Sequence, residues 1–380
     1  MGLVSGGALF GRQLAAEGVE KAFVLCGGHV MPIFYGMRAV GIEIIDMRHE
    51  CSCMYAAIDC ARSTGKPAVV VTTAGPGVIN TTPGMVEALE SGVPVIHIGG
   101  AVVANHRDAG PLQDMCTLSY MEAVSKWARK VTNTARIPEY VTMAFREAMD
   151  STPGPVYLEV PMDIPLIKVE ESEVRFPEKA RTTAIPFGDP ALITAAADLL
   201  VNAERPAVVI ADGARFTIGD HAADIAALSD HLKMPLMVAS ASMRGMFGDE
   251  YENPLLKAGG VNRADVVLTM GCRFDFRLGQ GRFIPADAKV IQVHTDLRQI
   301  GFNAKVDVGI VGGTGAVAGQ LLAAVKEKQA KPEKASWMGE LKSGPAALPD
   351  DYRSEIVPIH PGRCAGEVAK FLAEDGRDWN

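Results

Sequence analysis

Short apolar runs rich in β-branched residues recur along this chain, each followed by a stretch of helical length, and few folds accommodate that alternation. The first series of strands is expected at residues 21–26, 42–46, 68–73, 93–99 and 156–160. Strands that read as continuous runs of Val, Ile and Leu are buried on both faces, which means parallel strands with helices covering each side. The segments between them fit. Residues 6–17 read as an amphipathic helix that includes Leu9, Leu14 and Ala15, and residues 138–149 carry Pro138 at their first turn. A second series follows, with strands at 207–211, 236–239, 266–270, 290–294 and 308–311 and helices at 190–202, 220–232 and 315–326. The expected fold class is therefore α/β, with two doubly wound parallel-sheet domains. Their expected bounds are 1–165 and 188–326, joined by a linker at 166–187 where the pattern dissolves into Pro, charge and Thr. A Lys/Glu/Pro/Ala-rich connection spans 327–358, and residues 359–380 contain an amphipathic helix at 360–374 with Pro361 in its first turn. Such a helix should lead into a strand and none follows, so a third domain is expected to be absent from this chain.

Composition narrows the function classes. Hydrophobic residues make up 48% of the 380 and charged residues 22%, a globular composition. The net charge of −8 comes from 37 Lys+Arg against 45 Asp+Glu with no basic block, so nucleic acid and anionic membrane surfaces are not expected partners. The longest charge-free stretch, between Lys66 and Glu87, holds Pro67, Pro76 and Pro83 and cannot be a membrane helix. Without a basic segment and cleavage site at the start, a cytoplasmic location is expected, and the seven cysteines are expected to be reduced.

Polar loops fall at the carboxyl ends of successive strands, the edge at which open parallel sheets bind ligands. Gly27-Gly28-His29 follows the first, Asp46-Met47-Arg48-His49-Glu50 the second, and Thr72-Thr73-Ala74-Gly75-Pro76-Gly77-Val78-Ile79-Asn80 the third. An isolated Glu50 would be an ordinary first-turn residue favoured by the helix dipole. An isolated Gly/Pro turn would be tight-turn chemistry.

In this order, and followed by Gly154-Pro155-Val156-Tyr157-Leu158-Glu159-Val160-Pro161-Met162-Asp163, the loops resemble the pyrimidine-binding domain of thiamine diphosphate enzymes of the acetolactate synthase, benzaldehyde lyase and 2-hydroxyacyl-CoA lyase kind. The likeness continues through 211–215, 270–277 and 290–296, which resemble that family's central domain. It implies thiamine diphosphate as cofactor, with Gly28, Glu50, Thr73, Gly75, Pro76 and Asn80 around it. Glu50 would hydrogen-bond the pyrimidine ring and promote the tautomer that activates the cofactor. His29 would shuttle protons to substrate, and Gln113 would lie near both cofactor and substrate. The implied reaction is cleavage or formation of a carbon–carbon bond in a 2-keto acid, 2-hydroxy ketone or 2-hydroxyacyl thioester, a small-molecule substrate.

The family's pyrophosphate-binding motif, Gly-Asp-Gly followed at a distance by Asn, is not found, so no metal site is expected in this chain. Mg²⁺ would be held by a missing C-terminal domain or a separate pyrophosphate-binding subunit, in a homo- or hetero-oligomer. In the second domain Gly213, Arg215, Arg273, Arg277 and Asp296 fall where relatives hold FAD or an ADP moiety, a ligand the resemblance leaves open without favouring it. The alternative from another class is a non-catalytic regulatory or nucleotide-binding subunit that retains the fold.

Competing signals are weak. Gly313-Thr314-Gly315 fits a loose dinucleotide fingerprint, but the acidic residue expected about 20 positions on would lie in the Lys/Pro-rich connection. His49, Cys51, Cys53 and Cys60 suggest a metal cluster, yet residues two apart on a helix do not share a face. No serine-hydrolase elbow or phosphate-loop Gly-Lys-Ser/Thr occurs.

Overall fold

The computed structural model describes residues 2–178, 184–219, 221–240, 243, 245–247, 260–328, 337 and 353–375. The chain begins with β1 (Leu3–Ser5) and α1 (Gly6–Ala16), whose N-cap Ser5 accepts a hydrogen bond from the Ala8 amide at 3.3 Å. There follow β2 (Lys21–Val24), α2 (Met31–Ala39), β3 (Glu43–Asp46), α3 (Glu50–Thr64), β4 (Ala68–Thr72), α4 (Pro76–Ile79), α5 (Thr82–Ser91) and β5 (Val95–Ala101). The first unit closes with α6 (Thr117–Glu122), β6 (Trp127–Lys130), α7 (Ile137–Met149) and β7 (Val156–Pro161). Its six strands run in the order β3-β2-β4-β5-β7-β6, all parallel.

Every residue of β4 and β5 is buried, as a central strand covered on both faces requires. Val69 and Val71 pack among residues of α1, α2 and α7, while Val70 packs on the opposite side with Met54, Ala57 and Ile58 of α3 and Met85 and Ala88 of α5. The two-residue period of the strand thus distributes one apolar run between two cores.

After β8 (Lys168–Glu170) come α8 (Pro190–Asn202), β9 (Pro206–Ile210), α9 (Ala222–Leu232), β10 (Leu236–Val238), β11 (Val266–Met270), β12 (Lys289–His294), β13 (Val308–Val311), α10 (Thr314–Lys326) and α11 (Pro361–Asp375). The second sheet is parallel throughout, in the order β10-β9-β11-β12-β13. Helices α8, α9 and α10 cover one face, and on the other Val261, Phe274, Leu278 and Ile284 come from irregular segments. Both units are α/β with parallel sheets.

Three details lie beyond the expected pattern. Within 166–187, β8 pairs antiparallel with β1, so this stretch is stitched back to the start of the chain. Strand β6 carries Arg129 and Lys130 at the edge of its sheet and has no apolar run to announce it; its pairing to β7 defines it. Most of 327–358 lies outside the described residues, but Trp337 is buried, and its indole Nε1 donates to the Pro206 carbonyl at 3.1 Å. All seven cysteines are unpaired. No helix among the described residues is long and apolar enough to cross a membrane.

Candidate active site

In the first sheet the strand order reverses between β2 and β4, since β3 is added on one side of β2 and β4 on the other. Loops leaving such neighbours diverge to opposite faces and open a crevice at their carboxyl ends. The turn after β2 carries Gly28 and His29, and the turn after β4 carries Thr73, Gly75 and Pro76. From β3 the chain reaches His49 in extended conformation (φ −155°), and its Nδ1 accepts a hydrogen bond from the Cys51 amide at 3.1 Å. That cap starts α3 and makes Glu50 its first residue. Gly65, left-handed at φ 70°, ends the helix.

Glu50 is buried, and its Oε2 accepts from Asn80 Nδ2 at 3.0 Å. Asn80 is the C-cap of α4, the short helix that Pro76 opens. A Cβ on Gly77 would lie 2.7 Å from Thr73 Cγ2 and 3.3 Å from Glu50 Oε1, so only glycine leaves that carboxylate oxygen its space. No hydrogen bond to Oε1 is formed among the described residues.

A second group sits on the other side of the same turn. His29 Nδ1 is 3.1 Å from Thr73 Oγ1, and that hydroxyl donates to Gln113 Oε1 at 3.5 Å. Burial pushes the His29 imidazole below its usual value, with a backbone hydrogen bond at Leu112 acting the other way. His29 is thereby held as a neutral base near pH 7, able to take up or release a proton. Gln113 has φ 64° and lies over the turn: a Cβ on Gly75, itself at φ 56°, would fall 2.7 Å from the Gln113 carbonyl oxygen. Gly75→Ala is therefore expected to lower stability by about 1–3 kcal/mol through left-handed strain and this clash. Urea unfolding measures it, and an unchanged midpoint would mean that the 75–77 turn is soft. Nothing lies within 4 Å of a Cβ placed on Gly28, at the mouth of the crevice.

The central-domain residues do not join this site. Arg215 donates through Nε to the Arg62 carbonyl at 2.5 Å and through Nη2 to the Ser63 carbonyl at 2.7 Å, both in the last turn of α3. Arg273 Nη1 donates to the Glu90 carbonyl near the end of α5 at 2.9 Å. Arg277 is paired with Asp275 and Asp212, which raises its pKa further. Asp296 accepts from Arg298 and from Thr152 of the first domain, and Thr295 donates to the Ser151 carbonyl. Gly213 is pressed against Gly271, a Cβ there lying 2.7 Å from the Gly271 oxygen. The carboxyl edge of the second sheet, the usual ligand edge, is thus docked on the helix ends of the first domain, with its arginines neutralising the negative ends of α3 and α5.

A glycine and a histidine outside the expected set also shape the site. Gly77 lies within the turn but has no side chain to suggest a role, and His97 stands inside the apolar strand β5, its only signal being a polar residue amid Val and Ile.

An open α/β sheet with a buried carboxylate, a neutral histidine and a glycine-lined turn at its switch point defines a small-molecule or cofactor site, and comparison with known proteins narrows the class. Residues 4–122 match the thiamine pyrophosphate enzyme N-terminal TPP binding domain, and residues 193–321 match the central domain of thiamine pyrophosphate enzymes. The chain belongs to the thiamine pyrophosphate enzyme family. It is 28% identical over 379 residues to a probable acetolactate synthase large subunit of Methanocaldococcus jannaschii, covering 96% of this chain and 63% of that protein. It is 26% identical over 367 residues to human 2-hydroxyacyl-CoA lyase 1, covering 94% and 63%. To an acetolactate synthase large subunit of Mycobacterium tuberculosis it is 27% identical over 378 residues, covering 97% and 67%. The chain therefore spans a little under two thirds of the length of the first two relatives.

Proposed function

We propose that this chain supplies the pyrimidine-binding and central domains of a thiamine diphosphate-dependent carbon–carbon lyase or carboligase acting on 2-keto acids, 2-hydroxy ketones or 2-hydroxyacyl thioesters. The observation that carries the reading is the buried Glu50 carboxylate, held on one oxygen by Asn80 and left open on the other beside Gly77. These residues fit the neutral pyrimidine end of thiamine diphosphate, which offers a ring nitrogen to a carboxyl group and needs backbone close by. When bound, the cofactor supplies the electron sink for breaking or making a bond next to a carbonyl.

The remaining steps belong to this chain's own side chains. Glu50 holds or gives a proton at its Oε1, and Asn80 keeps the carboxyl plane turned toward the crevice. Thr73, Gly75, Pro76 and Gly28 line the approach. His29, neutral and tethered to Thr73, moves a proton at the substrate oxygen, and Gln113 lies over the turn where it limits water. Arg215 and Arg273 bond the carbonyls of Arg62, Ser63 and Glu90, and Asp296 accepts from Thr152, so they serve here as interdomain supports; Arg277 is paired within its own domain, and no FAD or ADP is invoked.

The diphosphate and its Mg²⁺ are assigned to a pyrophosphate-binding domain, as a further domain or a partner subunit, because Mg²⁺ is usually held by carboxylates together with phosphate oxygens and Glu50 reaches only the pyrimidine end. Calorimetric titration with thiamine diphosphate and Mg²⁺ tests this. The chain alone should show no saturable binding below millimolar cofactor, and the assembly with a pyrophosphate-binding domain should bind tightly and cleave or join a 2-keto acid or 2-hydroxyacyl-CoA. Micromolar binding by the chain alone would overturn the divided site, and no binding by the assembly would favour the non-catalytic alternative.

A further inference from the structure

The two halves of the crevice are joined underneath by a residue that none of the site roles above uses. His97 lies in the middle of β5, opposite Val70 of β4 and Tyr157 of β7, and is fully buried. Its Nε2 is 2.9 Å from Thr72 Oγ1 and its Nδ1 is 3.5 Å from Thr81 Oγ1. Thr81 spends its hydroxyl proton on the Val78 carbonyl at 2.6 Å, so it can only accept from the imidazole. This assigns the proton to Nδ1 and leaves Nε2 to accept from Thr72. The ring is tilted against Tyr157 with centroids 5.2 Å apart, and Tyr157 in turn donates to Thr117 at 3.3 Å.

Each threonine is the immediate neighbour of a site residue. Thr72 precedes Thr73, the partner of His29 and Gln113, and Thr81 follows Asn80, the partner of Glu50. We infer that His97 is a positioning residue that, through Thr72 and Thr81, sets the spacing between the His29–Thr73–Gln113 group and the Glu50–Asn80 pair. The inference rests on the proposed function for its catalytic meaning, but the geometry it claims exists in the chain without cofactor. A neutral imidazole suits the task because it offers one donor and one acceptor on opposite sides of a rigid ring, fixing two partners at a set separation. Burial, which drives its pKa down to about 3, keeps it in that form.

The test uses three substitutions and NMR of the chain without cofactor. Asn at 97 reproduces the Nδ1 position, Gln the Nε2 position, and Phe fills the space with neither. In H97N the Asn80 side-chain amide resonances should stay near those of the parent while the His29 ring titration shifts. H97Q should do the reverse, and H97F should disturb both. In the assembled enzyme the same variants should lower kcat about tenfold or more with KM within about threefold, the mark of lost transition-state positioning. If H97F fails to fold, the opposed effects of Asn and Gln still decide. Parent-like Asn80 and His29 signals in all folded variants, or equal disturbance by Asn and Gln, would overturn the inference. Correct NMR behaviour in a chain whose assembly lacks activity would instead count against the proposed function alone.

Discussion

Glu50→Gln is expected to lower turnover of the assembled enzyme by at least about a hundredfold, the scale of a lost acid–base group, while fold and assembly persist. The two side chains have the same shape, and the amide oxygen of Gln can still accept the Asn80 hydrogen bond seen at 3.0 Å. What is lost is the exchangeable proton at the oxygen beside Gly77. The stability change should be small, since a first-turn carboxylate interacts with the helix dipole by only about 0.3–1 kcal/mol. Steady-state kinetics with circular dichroism on the same preparation checks both halves. Activity within about threefold of the parent would reduce Glu50 to a helix-start residue.

Acid should destabilise both domains well before their carboxylates titrate. His97 in the first domain has a pKa of about 3, and His294 in the central domain one of about 4; burial is the cause in both, with Asp296 acting the other way on His294. Each folded-state value lies below the ordinary 6.5. The unfolded chain therefore takes up a proton near pH 6.5 that the native domain refuses until the pH is lower still. Stability is fully present above about pH 6.5 and falls with the pH below it, by roughly 1.4 kcal/mol per unit for each histidine. Between pH 6.5 and 4.5 each domain should lose about 2–3 kcal/mol on this basis, a large share of a typical 5–15 kcal/mol. The lowered Asp296 carboxyl contributes in the same direction but only below its ordinary value of 3.8. Calorimetric scans from pH 7.5 to 4.5 should show both transitions moving down with an uptake of about one proton per domain. Transitions that stay level across that range would mean that the two histidines are solvated or that their partners rearrange on protonation.

Where the first-domain candidate residues sit in the fold was largely legible because their segments are local in sequence and fixed by backbone. Glu50 follows a strand and a capping histidine, so its place at the sheet edge is set by where β3 ends and α3 begins. Gly75 and Pro76 mark a turn by their own backbone limits, and His29 follows β2 within a Gly-Gly turn. His97 was not legible in this way. Its function depends on Thr72 and Thr81 arriving on either side of one ring, and a histidine in an apolar strand looks the same whether or not they do.

The central-domain residues mark the limit most clearly. Position in sequence put Arg215, Arg273 and Asp296 at strand ends, where a basic or acidic side chain could face a ligand. Only domain docking revealed that Arg215 meets the Arg62 and Ser63 carbonyls, Arg273 the Glu90 carbonyl and Asp296 the Thr152 hydroxyl. These partners are 144 to 183 residues apart in the chain, beyond the reach of any local pattern.

The amino-acid sequence by itself determined the parallel α/β architecture, the strands of both parallel sheets other than β6, and the loops that carry Glu50, His29 and the 72–80 turn, because hydrophobic period and turn chemistry act over a few residues. The tertiary structure decided which charged groups remain turned toward the crevice and which are consumed between domains. It also decided the β1–β8 ribbon, whose three-residue strands are too short to show a period, and the linkage through His97. Hydrogen bonds and ion pairs are short-ranged and directional, so their partners are settled only when the packed sheets bring distant segments within about 3 Å of one another.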